Sequence, residues 1–247
     1  MYRKALFSFL LLCALASASW ADQGKADAQT ILQTVNSYRG FYQDPFVFKV
    51  LTVSQQPGRE DQKHLMEVAF RSSDEVRVDF LKPARDKGRK ILIEGNNMWM
   101  AMPRTRNLIR VSPLQRVTGE ASNGDIANTN YDDYEAVLEG TDSCDDTPCL
   151  KLNLTAHKKG ATYQRIVLWV AEETFKPIKS EHYAKSGKLL KVAHYKAFKK
   201  FGEHEFLHRL LLVDPLFEDR YTWMVYEDYH RQALPKALFH KENLDTP

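Results

Sequence analysis

The sequence predicts a mainly β (α+β) domain, a long antiparallel meander set behind one opening helix. Three features carry that reading. Val76-Arg77-Val78-Asp79-Phe80 alternates apolar and charged side chains strictly, which buries one face of a strand and leaves the other in water. Extended segments of this kind recur along the chain, punctuated by turn signals at Pro57-Gly58, Ser72-Ser73-Asp74, Lys87-Gly88 and Gly95-Asn96-Asn97. Ile31, Leu32, Val35 and Tyr38 are spaced for one face of a helix, with Asp27 as a cap and Gly40 just beyond the end.

Ahead of that helix, Arg3 and Lys4 precede the apolar run from Ala5 to Leu15, and small residues lead to Ser19-Trp20-Ala21. This is the three-part grammar of a secretory signal, with cleavage expected after Ala21. The run is shorter than the roughly 20 residues a membrane span needs. Cys13 follows Leu10-Leu11-Leu12, without the small residue that precedes an acylated cysteine, so no lipid anchor is expected. The expected division is residues 1–21 as signal peptide and 22–247 as one domain, soluble and exported to the periplasm.

After the helix, strands are expected over Phe46–Gln55, His64–Arg71, Glu75–Leu81, Arg89–Glu94, Met98–Met102 and Asn107–Ser112. The stretch Pro113–Asn130 breaks the pattern with Gly119, Gly124 and scattered polar residues, and reads as a long excursion of the kind that forms lids. Strands resume over Tyr134–Glu139, Cys149–Ala156, Arg165–Val170, Ile178–Ala184, Leu189–Phe198, Phe206–Val213 and Tyr221–Tyr229, before a short amphipathic tail, Pro235–Leu244. So many strands in series cannot stay flat, and the sheet should curl around its apolar face.

Cys144 and Cys149 remain after export and read as one disulfide, since an exported chain meets an oxidising compartment. The loop between them is short, so the bond should pin a hairpin tip more than stabilise the domain. The formal net charge of the whole chain is +3, and losing Arg3 and Lys4 brings it nearer to neutral, which gives nucleic-acid binding no support. The basic residues Lys188, Lys191, Lys196, Lys199 and Lys200 fit a solvated strand face, with anionic headgroups as the alternative. No phosphate-cradling glycine loop and no Gly-x-Ser-x-Gly elbow is present, so no nucleotide, cofactor or covalent catalysis is expected.

His204-Glu205-Phe206-Leu207-His208 matches the H-E-x-x-H pattern of zinc peptidases. The chemistry requires a helix, where the two histidines lie about 6 Å apart. On a strand they would stand about 13 Å apart, beyond the reach of one metal ion. The flank Leu210-Leu211-Leu212-Val213 fits either form, but a late strand is the expectation, and His182 and His194 carry no expected role.

The segment Arg77-Val78-Asp79-Phe80-Leu81-Lys82-Pro83, then Gly88 to Ile93, then Gly95-Asn96-Asn97-Met98-Trp99-Met100-Ala101-Met102-Pro103, resembles the LolA-like outer-membrane lipoprotein-sorting family. A strand ending in proline, a turn, an apolar strand, a glycine turn and a Trp-bearing strand ending in proline follow in the family's order. The chain is long and has Ala101 where an aromatic is common, so the closer resemblance is to the family's longer branch, some of whose members are tied to lipid exporters. The resemblance implies an unclosed β-barrel with lid loops or short helices over its mouth, holding acyl chains without chemistry. The expected lining is Val76, Val78, Phe80, Ile91, Ile93, Trp99 and Met100, with Met98 and Met102 as adaptable neighbours. The same stripe would fill an ordinary core. Three functions follow in order: a monomeric carrier of lipid or lipoprotein acyl chains working with an exporter or an outer-membrane acceptor, a periplasmic lipid sensor, and a zinc metallopeptidase using His204, Glu205 and His208.

Overall fold

The computed structural model describes residues 27–40, 44–103, 107–127 and 130–244, so the signal peptide expected at 1–21 lies outside the described residues. The opening helix α1 spans Ala28–Ser37, and the Asp27 carboxylate caps it by accepting from the backbone N–H of Gln29 and Thr30, both at 2.9 Å. It buries Ile31, Leu32 and Val35, the face the spacing marked.

The strands before the excursion are β1 (Phe46–Gln55), β2 (Gln62–Ser72), β3 (Glu75–Lys82), β4 (Lys90–Glu94), β5 (Asn97–Ala101) and β6 (Leu108–Arg110). The excursion holds a small hairpin, β7 (Arg116–Thr118) with β8 (Ala121–Ser122), then the single-turn helix α2 (Asn123–Ile126) and a 3-10 turn at Tyr131–Asp133. Then come β9 (Tyr134–Cys144), β10 (Thr147–Ala156), β11 (Arg165–Ala171), β12 (Pro177–Tyr183), β13 (Leu189–Phe201), β14 (His204–Asp214) and β15 (Phe217–Arg231). Two 3-10 turns, Lys236–Phe239 and Lys241–Asn243, make the tail.

Thirteen of these strands form one antiparallel sheet in the order β6-β5-β4-β3-β2-β1-β15-β14-β13-β12-β11-β10-β9. The chain runs outward from β1 to one edge, crosses through the excursion to the other edge, and returns until β15 pairs with β1, from Phe46↔Arg231 to Gln55↔Tyr221. The sheet is strongly curved but not closed, because its edges β6 and β9 do not pair with each other. Between β9 and β10, Asp145 and Asp146 take left-handed conformations in a two-residue turn, and the Cys144–Cys149 disulfide lies beside it.

One face of the sheet carries the main core, which takes in Val50, Met66, Val68, Val78, Leu152, Leu168 and Met224 together with Ile31 and Leu32 of α1. A second cluster lies on the other face, where Leu234, Phe239 and Leu244 of the tail cover Val47, Leu92 and Ala101.

Candidate functional site

Register fixes which expected lining residues share a face. Val78 pairs with Ile91 and Ile91 with Met100; in the next row Val76 pairs with Ile93 and Ile93 with Met98. These side chains, with Phe80, belong to the main core on the concave face. Trp99 does not join them. It pairs with Leu92 on the opposite face, packs against the tail cluster, and lies under the Lys241 ammonium at 5.3 Å from its ring. Trp99 and Met100 are adjacent in a strand and cannot point the same way, so Met98 takes the place expected of Trp99. Met102 stands beyond the end of β5 and is exposed.

The rest of the concave wall was not singled out in the sequence. Phe46 and Phe48 of β1 stack at 5.7 Å, Phe48 stacks on Tyr229 at 5.1 Å, and Phe206 meets Tyr229 at 4.8 Å. The alternation Phe46-x-Phe48-x-Val50 was the available signal, and all three are buried.

The excursion, with α1, covers this wall. Gly119 has φ +50°, and a Cβ there would collide with the hydroxyls of Ser54 and Thr222. The next amide, Glu120, donates to the Thr222 hydroxyl at 2.9 Å. Ser122 caps α2 reciprocally with Asp125. The Asp125 carboxylate also accepts from Lys191 Nζ at 2.5 Å and from the Tyr163 hydroxyl at 2.7 Å. Burial would raise its pKa, but Lys191, His182 and these donors outweigh that and bring it to about 2.

Lys191, expected on a solvated face, is instead buried and donates to the Glu120 carbonyl as well. An ammonium survives there because the lid brings a carboxylate and a carbonyl to it. His182 packs edge-on to Tyr163 at 4.4 Å, and burial lowers its pKa to about 3, leaving it neutral. Ser180 bridges His182 Nε2 at 2.8 Å and the Tyr195 hydroxyl at 3.3 Å, and Tyr195 meets Tyr131 of the lid at 2.5 Å. Two buried polar groups, one at Asp125 and Lys191 and one at Ser180, Tyr195 and Tyr131, therefore tie the lid to β12 and β13.

The wall around Val78 is packed. Val78 and Ile91 are fully buried, and a cavity of about 50 Å³ beside Val76 and Ile93 has room for little more than a water molecule, whose share of liquid volume is about 30 Å³. An acyl chain could reach the Val78 row only if a covering element moved.

The H-E-x-x-H residues lie on β14, an extended strand, so His204 and His208 stand about 13 Å apart. Glu205 pairs with Lys176 at 2.8 Å, and His208 Nδ1 lies 3.0 Å from the Tyr226 carbonyl. Among the described residues, Glu94, His240 and Glu242 are the group of three whose metal-capable donor atoms lie within 4.8 Å of one another, on the outer face and partly exposed. Among the described residues, no helix is long and apolar enough to cross a membrane.

A family model described as "Uncharacterized protein" matches residues 72–246. No curated protein sequence matches the chain. Among solved structures, a LolA superfamily protein from Nitrosomonas europaea is 32% identical, with a TM-score of 0.81 over 88% of this chain and 99% of that one. A domain described as an outer membrane lipoprotein-sorting protein from Vibrio parahaemolyticus shares 16% identity at a TM-score of 0.72, over 88% of this chain and 97% of that one. A DUF1329 family protein from Desulfovibrio piger shares 20% at 0.69, over 90% and 100%. The last two speak to the fold alone.

Proposed function

Because the chain belongs to the LolA superfamily, we propose that it is a periplasmic carrier that holds the acyl chains of a lipid or lipoprotein against the concave face of its unclosed barrel. The signal-like residues 1–21 deliver it to that compartment, and residues 22–247 act as the carrier domain, passing cargo toward the outer membrane or to and from an exporter. It does this by binding, without chemistry on the cargo.

The observation that carries the reading is the apolar wall of β3, β4 and β5, where Val78, Ile91 and Met100 form one cross-strand row beneath a lid held by polar contacts. A covering segment held by hydrogen bonds can exchange them for water where it moves aside. Once open, the wall gains about 0.8 kcal/mol for each methylene it buries, less the ordering cost of binding.

The test places a charge on the wall. Val78→Glu leaves an unpaired carboxylate facing hydrocarbon and abolishes binding of a fluorescent fatty acid. Asp79 points the other way and pairs with Arg77 at 2.8 and 3.0 Å, so Asp79→Asn retains binding. Only variants that melt cooperatively count. A folded Val78→Glu protein that binds the probe as tightly as wild type removes the wall from the function.

A further inference from the structure

The lid is not the whole closure. The loop between β10 and β11, residues 157–164, reaches the far half of the sheet and is held there by its own contacts. Lys158 Nζ donates to the Ser73 carbonyl at 2.9 Å and pairs with Asp74 at 2.9 Å and Asp133 at 3.5 Å. Gly160, at φ +91°, lies against the turn between β4 and β5, where a Cβ would meet the Asn96 carbonyl oxygen at 3.0 Å. Thr162 packs against Gly124 of α2. One loop therefore touches the β2–β3 turn, the β4–β5 turn and the lid helix.

The cavity of about 50 Å³ opens at this seam. Its floor is Phe70, Val76, Ile93 and Met98, and its rim includes Asp133 and Lys158. The floor continues the row of Val78, Ile91 and Met100 through the cross-strand register. An apolar floor that joins the inner wall beneath a polar rim suits an alkyl chain whose polar end stays in water.

The two closures differ in strength. Asp125 and Lys191 are both buried and hydrogen-bonded, and separating them strands charges in the core. The Lys158 clasp is looser: its arm to Asp74, whose side chain is 60% exposed, is weak and screened by salt, and its mostly buried arm to Asp133 spans 3.5 Å against 2.5 Å for Lys191 to Asp125. The seam is the closure that yields first.

We propose that this seam is the port through which a single acyl chain enters the barrel, with Lys158 as its clasp and the loop 157–164 as the part that moves. This rests on the acyl-binding reading above. The chain passes between the loop and the turns of β2–β3 and β4–β5 and runs onto the Val78 row, while the lid stays anchored at Glu120 and Asp125.

Two double-cysteine variants test it, each closed with a short bifunctional thiol reagent while the native Cys144–Cys149 bond stays oxidised. Asp74→Cys with Lys158→Cys bridges the seam, and Arg116→Cys with Asp214→Cys bridges the lid hairpin to β14, where the native side chains lie 3.8 Å apart. The readout is the uptake rate of a dansyl-labelled fatty acid, each bridged protein being compared with its own unbridged form after matched melts. The seam-bridged protein should lose uptake, the lid-bridged protein should keep it, and Lys158→Met should load faster than wild type. Uptake that survives the seam bridge, or that stops only with the lid bridge, overturns the port. If wild type and the unbridged variants all fail to bind the probe, the acyl-binding reading itself falls and the port falls with it.

Discussion

Replacing Lys191 with methionine should release the lid, and the size of the effect follows from what the ammonium touches. Lys191 Nζ lies 2.5 Å from both Asp125 Oδ2 and the Glu120 carbonyl, and the two paired side chains are 7% and 6% exposed. Methionine fills similar space without charge or donor, so Asp125 keeps Ser122 and Tyr163 but loses its cation. Removing one partner of a buried pair costs about 3–5 kcal/mol. Asp125 sits in the lid and Lys191 in β13, so that cost falls on the closed state and should raise the open population roughly 10²- to 5 × 10³-fold.

The pH dependence gives the sign. With lysine present the folded pKa of Asp125 is lowered to about 2. The pair therefore stabilises fully above the unfolded aspartate value of about 3.9, and that stability is lost as pH falls toward 2. In Lys191→Met, burial acts without the lysine and the pKa rises. The deficit of the variant should then be largest near neutral pH and shrink in acid, where Asp125 takes a proton. Hydrogen exchange at the amides of residues 116–127 reads lid opening directly, and urea melts read the whole domain. The double variant Asp125→Asn with Lys191→Met leaves no buried charge and should recover much of the loss. Unchanged lid protection in the single variant, or a double variant no better than the single, would refute the latch.

Two further outcomes are expected. His182 has a folded pKa lowered to about 3 by burial, with Asp125 opposing and Lys191 and Arg39 adding, while the unfolded chain takes a proton near pH 6.5, so stability should fall as pH drops below that by about 1.4 kcal/mol per unit. Glu120, whose pKa is raised by burial, acts in the opposite direction, and melts of wild type against His182→Gln between pH 7 and 5 isolate the histidine; equal slopes would exclude it. Reducing Cys144–Cys149, separated by five positions at a hairpin tip, should cost no more than about 2 kcal/mol, and two free thiols in the denatured protein, never exposed to reductant, would contradict the bond.

Local pattern alone determined much of this protein. Alternation located β1 at Phe46–Gln55 and β3 within a residue of its end, spacing and a capping aspartate located α1, and the break in pattern marked the lid. These are properties of a residue and its near neighbours, set by the two-residue period of a strand and the 3.6-residue turn of a helix. The disulfide was legible for a similar reason, since its partners lie in one hairpin.

Only the tertiary structure decided the rest. The β1–β15 pairing joins residues as far apart as Phe46 and Arg231 and leaves no local trace. Alternation says that Met98 and Trp99 face opposite ways but not which way is inward; that depended on the tail turning back to cover Trp99. The H-E-x-x-H residues were ambiguous until β13 paired with them as a strand. Lys191 read as one more surface lysine because its partner Asp125 lies in the excursion, 66 positions away. A buried charge is tolerated only where a partner is delivered to it, and the delivery is made by the whole fold rather than by the segment that carries the charge.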